Sequence, residues 1–160
     1  VDNSAIISID SLFAVPDFRM SEKIFSLILN IRSKTKERLV MQIRNADKKL
    51  ITSAQKGDVT AFYNEEIKLR KTFLYPPFTR FIKLTVIASY DKMEREITNI
   101  KNIFRDTRLE LFPAPYIKNT SKSAINILLR VDKDKESMLM RRLLLLPPWI
   151  TVNVDPSTLL

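Results

Sequence analysis

Between positions 58 and 71 the apolar residues Val59, Phe62, Tyr63, Ile67 and Leu69 include the spacings i, i+3, i+4 and i+8, which predicts a helix with most of them on one face. Asp58 suits the N-cap, where a carboxylate accepts from the open N–H groups of the first turn. The corner Tyr75-Pro76-Pro77-Phe78 must lie beyond the helix. Neither proline donates an N–H, and Pro77 disfavours α geometry at Pro76. Residues 80–89, rich in β-branched and aromatic side chains, then predict a strand. Arg70, Lys71 and Arg80 bracket this corner.

Upstream, the apolar run 5–9 predicts a short buried strand, 11–19 an irregular stretch, and 21–31 a helix with a wide stripe of Ile24, Phe25, Leu27, Ile28 and Ile31. Residues 32–38 are polar and basic and read as a loop, 39–43 as a second strand, and 47–55 as a helix stopped near Gly57. Strand, helix, strand, helix is an α/β pattern, and two strands are too few for a stable open sheet, so this part reads as the tail of a larger domain.

Downstream of the corner, the strand 80–89 is followed by a helix at 91–108 with Met93, Ile97, Ile100, Ile103 and Phe104 on one side. Asp91 and Glu94 have the spacing of a capping box. Residues 109–116, interrupted by Pro113 and Pro115, fit an edge or bulged strand. A strand at 124–131, a helix at 133–146 carrying Met138, Leu139, Leu143 and Leu146, and a strand at 149–154 complete the order β-α-β-β-α-β. That is the split βαβ, or ferredoxin-like, arrangement: a four-stranded sheet with two helices on one face.

Composition narrows the chemistry. The 160 residues carry 27 Lys and Arg against 18 Asp and Glu, a net charge of +9, and the pI is about 9.9. Such a balance favours an anionic partner: nucleic acid, an acidic peptide or a membrane surface. There is no Cys and no His, which removes disulfides, thiolate chemistry, His-based zinc sites and Ser-His-Asp triads together. With Gly57 as the one glycine, neither a P-loop nor a Rossmann fingerprint can be built. No signal peptide or membrane span is evident, since the longest apolar run, 143–150, is short and holds two prolines. A cytoplasmic location is expected. The chain opens on Val1 rather than Met, so a piece of a longer protein is expected.

Four pieces of sequence carry a family resemblance. The stretch Val15-Pro-Asp-Phe-Arg-Met-Ser-Glu-Lys-x-Phe25 is followed by Phe62-Tyr-x-Glu-Glu-Ile-x-x-Arg-Lys71 with Tyr75-Pro-Pro-Phe78. Pro113-Ala-Pro115 and the ending Val154-Asp-Pro156-x-x-Leu159 complete the set. In this order they resemble the C-terminal portion of the primosomal protein N′ family, the PriA-type DNA helicases of replication restart. The resemblance implies that 1–74 is the C-terminal end of the second RecA-like helicase lobe and 75–160 the family's ferredoxin-like C-terminal domain. It implies an ATP-dependent 3′–5′ helicase family that binds ATP, Mg and Zn through parts that this chain lacks, so no cofactor is expected in it.

One stretch departs from the family pattern. Where the family has a Gln-x-x-Gly-Arg-x-Gly-Arg motif whose arginines meet the ATP phosphates, this chain has Asn30-Ile-Arg-Ser-Lys-Thr-Lys-Glu-Arg38. The glutamine and both glycines are gone. Ser33 and Lys36 fall near the glycine positions, Lys34 near the first arginine, and Glu37 or Arg38 near the second. A lysine does not reproduce the bidentate guanidinium fork. With no phosphate loop as well, no ATPase activity is expected from this chain.

No catalytic constellation emerges. Glu65-Glu66 and Asp132-x-Asp134-x-Glu136 are the acidic clusters, and they read as helix starts or solvated faces. The basic residues are the candidates. From Tyr75 onward there are 14 cationic and 9 acidic residues, a balance of +5, against +4 before it. For DNA, Arg70, Lys71, Arg80, Lys118, Lys122 and Arg130 are singled out, with Tyr116 and Trp149 either stacking surfaces or core residues. The expected partners are branched or single-stranded DNA, other primosome proteins and, as the resemblance implies, the acidic tail of the single-stranded DNA-binding protein. No membrane partner is expected. For that tail the candidates are Lys133, Lys135, Arg141 and Arg142 beside Met138 and Leu139. The reading is thus a non-catalytic DNA-binding and partner-docking module. The alternative is a stand-alone ferredoxin-like RNA-binding or ribosome-like protein.

Overall fold

A computed structural model describes residues 1–44, 47–114 and 121–159. The chain is mixed α/β and divides into two compact units, Val1–Thr72 and Phe73–Thr158.

In the N-terminal unit, β1 (Asn3–Ile6) and β2 (Arg38–Met41) pair in parallel, with Asn3 opposite Arg38 and Ile6 opposite Met41. Helices α1 (Asp10–Phe13), α2 (Met20–Lys34), α3 (Lys48–Lys56) and α4 (Val59–Thr72) complete it. Ile9, Ile24, Phe25, Ile28, Leu50, Ile51, Ala54 and Phe62 form its core. The rings of Phe25 and Phe62 stack with centroids 4.0 Å apart. Two termini follow directly from local chemistry. Asp47 caps α3 by accepting from the amides of Lys49 and Leu50, and Asp58 caps α4 by accepting from Ala61 N–H at 2.9 Å.

Several sequence expectations shift in this unit. The first strand is β1 at Asn3–Ile6 rather than 5–9, because pairing with β2 sets its register, and Ile9 turns into the core beside α1. The stretch read as irregular holds α1. The loop expected at 32–38 is shorter, since α2 continues through Lys34. Without glycines nothing halts it, and Ser33 and Thr35 close it by donating their hydroxyls to the carbonyls of Asn30 and Ile31. The apolar residues of α4, for which the sequence predicts a shared face, differ in burial. Phe62 is buried, whereas Val59, Tyr63, Ile67 and Leu69 are exposed.

Gly57 ends α3 in the left-handed region, at φ 71°, donating its N–H to Ala54 and Ser53 carbonyls. A Cβ there would sit 2.4 Å from Arg32 Nη1, the tip of a flexible side chain that can move aside. The cost of Gly57→Ala is therefore mainly conformational. It is expected to lower stability by about 1 kcal/mol, read as a shift in the urea midpoint. An unchanged midpoint overturns that expectation.

In the C-terminal unit, β3 (Thr79–Ser89), α5 (Tyr90–Ile103), β4 (Arg108–Pro113), β5 (Lys122–Asp132), α6 (Glu136–Leu143) and β6 (Thr151–Val154) follow in sequence. The four strands form one sheet in the order β4-β5-β3-β6 with every pairing antiparallel. Alternate residues Ile82, Leu84 and Val86 of β3 and Ile127, Leu129 and Val131 of β5 share one core with Met93, Ile100 and Phe104 from α5 and its C-cap and Leu139 from α6. Both helices therefore cover the same face. Phe81 and Leu128, which point to the other face by the strand alternation, are also buried.

The corner 75–78 is a turn closed by Phe78 N–H to Tyr75 carbonyl at 2.9 Å, with a cis Pro76-Pro77 bond. Tyr75 packs edge-on against Phe81, with centroids 5.9 Å apart. The capping box expected from Asp91 and Glu94 does not form. β3 runs straight into α5, so Ser89 is the N-cap residue and Asp91 lies inside the first turn, its carboxyl held below the ordinary range by a hydrogen bond from Ser89. The helix expected at 133–146 is a 3-10 turn (Lys133–Lys135) followed by the shorter α6. Residues 144–146 close i→i+3 bonds ahead of Pro147 and Pro148. Trp149 stands before β6 rather than in it. Among the described residues no helix is long and apolar enough to cross a membrane.

Candidate nucleic-acid interface

The cationic candidates fall into two groups: those locked in ion pairs within their unit, and those carried on the surface. Arg70, in the last turn of α4, belongs to the first. Its Nε donates to Glu66 Oε1 at 2.8 Å and its Nη2 to Glu22 Oε2 at 3.0 Å. Its guanidinium also lies 5.9 Å from the Phe18 ring centre. Burial works against its charge, but the hydrogen bonds to Glu66 and Glu22 outweigh that and hold its proton more tightly than usual. Lys71, one residue on, is exposed.

In the C-terminal unit Arg80 is shared between Glu136 and Asp155, the latter 3.4 Å from its Nε. Arg130 is the most enclosed of the DNA candidates there. It lies 5.0 Å from the Phe81 ring centre and 5.4 Å from that of Tyr75, and Nη1 donates to Phe73 carbonyl at 3.3 Å. Its Nη2 donates to Glu110 Oε2 at 3.0 Å. Nε lies 2.9 Å from Glu110 Oε1 but its N–H is not aimed along that line, so the second contact is Coulombic rather than a hydrogen bond. Lys122 is exposed at the start of β5, opposite Ser89. Lys118 and Tyr116 lie outside the described residues.

Of the four residues assigned to an acidic tail, one is committed to a carboxylate of its own unit. Arg142 turns to Asp106, with which it makes two hydrogen bonds, Nη2 to Oδ2 at 3.0 Å and Nη1 to Oδ1, and it also donates to Ile103 carbonyl at 3.3 Å. That pairing holds the Asp106 carboxyl below its ordinary range and raises the guanidinium's. Arg141 is exposed, Lys135 reaches Asp132 at 3.8 Å, and the side chain of Lys133 lies outside the described residues. Met138 is exposed while Leu139 is core. Trp149, left open between core and surface by the sequence, is 58% exposed, close in sequence to the still more exposed Leu144 and Leu145.

Arg108 was missed by sequence reasoning. It stands directly opposite Arg130 across β4 and β5, its Nη2 3.3 Å from Glu110 Oε1. The signal that finds it is the strand register, which the sequence does not display.

The stretch that departs from the phosphate motif is spread over the end of α2 and the start of β2. Lys34 closes α2, Lys36 faces Asp2 at 4.0 Å, and Arg38 starts β2. No glycine lies in this stretch to bring backbone N–H groups close to a phosphate.

No family model matches the chain. Curated bacterial relatives do. Among them are the replication restart protein PriA of Chlamydia pneumoniae, 33% identical over 109 residues, and that of Chlamydia trachomatis serovar D, 39% identical over 85. The matches cover 64% and 50% of this chain, and 15% and 11% of those proteins. PriA of Haemophilus influenzae is 26% identical over 138 residues, 79% of this chain and 19% of that protein. The chain therefore spans less than a fifth of the length of these relatives. It is similar to the C-terminal portion of PriA, the family its sequence motifs resemble.

Proposed function

We propose that this chain is the C-terminal part of a PriA-type replication-restart DNA helicase and acts as a non-catalytic module that holds DNA and docks partner proteins. The observation that carries the reading is the reach of the similarity. A match covering 79% of the chain is longer than either compact unit, so it takes in parts of both. The sheet order β4-β5-β3-β6 with two helices on one face supports a ferredoxin-like fold for 75–160. The parallel β1-β2 pair with its helices is in keeping with the end of a RecA-like lobe for 1–74.

On this reading the partners are branched or single-stranded DNA, primosome proteins and the acidic tail of the single-stranded DNA-binding protein, and the setting is the cytoplasm. With Arg142 committed to Asp106, the tail would meet Arg141 and Lys135 first. ATP hydrolysis is not part of this module's role.

The test is fluorescence anisotropy with a labelled single-stranded or forked oligonucleotide. A net charge of +9 predicts binding that is mostly electrostatic. Neutralising about four phosphates of a single strand gives a log–log salt slope of about −3. No binding at low salt, or binding that does not weaken with salt, overturns the reading.

A further inference from the structure

The C-terminal unit carries a hollow of about 280 Å³ whose polar lining includes Asp106, Thr107, Arg108, Arg130, Asp132 and Lys135. Sequence reasoning puts Arg130 with DNA, Lys135 with a protein tail, and Arg108 nowhere. The fold brings the three to one place.

Arg108 and Arg130 are direct cross-strand partners, an arrangement that destabilises a sheet unless something compensates it. One carboxylate, Glu110, serves both guanidinia, at 3.3 Å from Arg108 Nη2 and 2.9 Å from Arg130 Nε. Around the hollow, Arg142 neutralises Asp106 and Lys135 faces Asp132. The cations Arg108, Arg130, Lys135 and Arg142 thus stand against the carboxylates Asp106, Glu110 and Asp132, an excess of one positive charge. The excess has a direction. The Arg130 side chain is only 15% exposed and is fixed over two aromatic rings, whereas that of Arg108 is 66% exposed and that of Lys135 49%.

We propose that this hollow seats a phosphate group of a nucleic-acid backbone, with Arg108 and Lys135 as its contacts and Arg130 as the fixed base beneath them. The inference rests on the DNA-binding reading above and gives it a location. A guanidinium fork and an ammonium suit phosphate oxygens. The charge balance selects the form of phosphate: a phosphodiester carries one negative charge and matches the excess. Inorganic phosphate is a mixture of mono- and dianion at neutral pH, and the dianion, with three carboxylates close by, is disfavoured.

The experiment compares three proteins by anisotropy with a labelled single-stranded oligonucleotide and by amide NMR shifts with inorganic phosphate. They are the wild type, the double variant Arg108→Ala/Lys135→Ala, and the double variant Arg95→Ala/Lys101→Ala. The last removes the same charge from exposed positions on α5. Far-UV circular dichroism confirms that all three are folded. The expected result is an affinity loss of about tenfold for the first double variant. Its salt slope should be shallower by about 1.4, the equivalent of two single-strand phosphate contacts. The α5 variant should lose much less, and phosphate should shift wild-type resonances little. Equal losses in the two double variants overturn the proposal, as does wild-type affinity in the first. Strong phosphate binding that shifts Thr107 and Arg108 overturns the backbone assignment in favour of a free anion. If the wild type binds no oligonucleotide, the functional reading fails. The backbone-phosphate seat then fails with it, whereas equal losses in the two double variants with wild-type binding intact remove the seat alone.

Discussion

Replacing Phe104 by alanine is expected to lower the stability of the C-terminal unit by about 4 kcal/mol. Phe104 is fully buried at the C-cap of α5, where its N–H bonds Ile100 carbonyl at 3.0 Å. It shares one core with alternate residues of β3 and β5 and with Leu139 of α6. Removing the ring loses its transfer free energy and leaves a void that these neighbours do not readily fill, because the strands are held in a ladder running from Thr79 opposite Asp132 to Ser89 opposite Lys122. Hydrogen exchange of β5 amides is the measurement, since it reads this unit directly. Trp149 is a poor reporter, being exposed. Protection lost by about three orders of magnitude is the expected outcome, the equivalent of that energy. A loss of less than tenfold shows that the core repacks around the gap.

The elements of this fold were legible in the sequence wherever apolar spacing repeats. Helix α4, strand β3 and the β-α-β-β-α-β order of the C-terminal unit are all written in the pattern. What the pattern does not carry is which side of an element has a neighbour. The spacing in α4 predicts that most of its apolar residues share a face but not that the face is covered: of Val59, Phe62, Tyr63, Ile67 and Leu69 only Phe62 is buried, and Glu66 is buried four residues on. Spacing reports one face of one helix and is silent on what packs there. Helix ends were misread for a related reason. The box expected from Asp91 and Glu94 depends on where α5 begins, and the helix begins at Tyr90, directly after β3, which makes Ser89 the N-cap residue. The candidate site was the least legible part. Basic residues are visible as a balance of charge, but whether each is committed to a carboxylate depends on side chains distant in the chain. Arg142 meets Asp106, 36 positions away, and Arg108 meets Arg130 only through strand register.

Arg70 shows how far such commitment alters a functional assignment, and its replacement by methionine is expected to cost about 3 kcal/mol. The arginine joins Glu66 on its own helix to Glu22 on α2. Glu66 is only 7% exposed. Methionine keeps an apolar stem beside Phe18 but leaves the Glu66 carboxylate buried without the guanidinium, and an uncompensated buried charge costs more than the pair contributes. Glu22 is more exposed and regains water, so the penalty is set chiefly by Glu66. The second variant, Glu66→Met/Arg70→Met, removes that stranded charge and is expected to recover most of the loss, to within about 1 kcal/mol of the wild type. Urea unfolding of the three proteins measures this. Single and double variants of equal stability would show that the pair acts through packing rather than charge. The same proteins test the DNA role given to Arg70 from the sequence. With its nitrogens turned to two carboxylates, the folded Arg70→Met protein is expected to bind an oligonucleotide with wild-type affinity. A loss larger than that of removing one exposed lysine, such as Lys71, returns Arg70 to the binding surface.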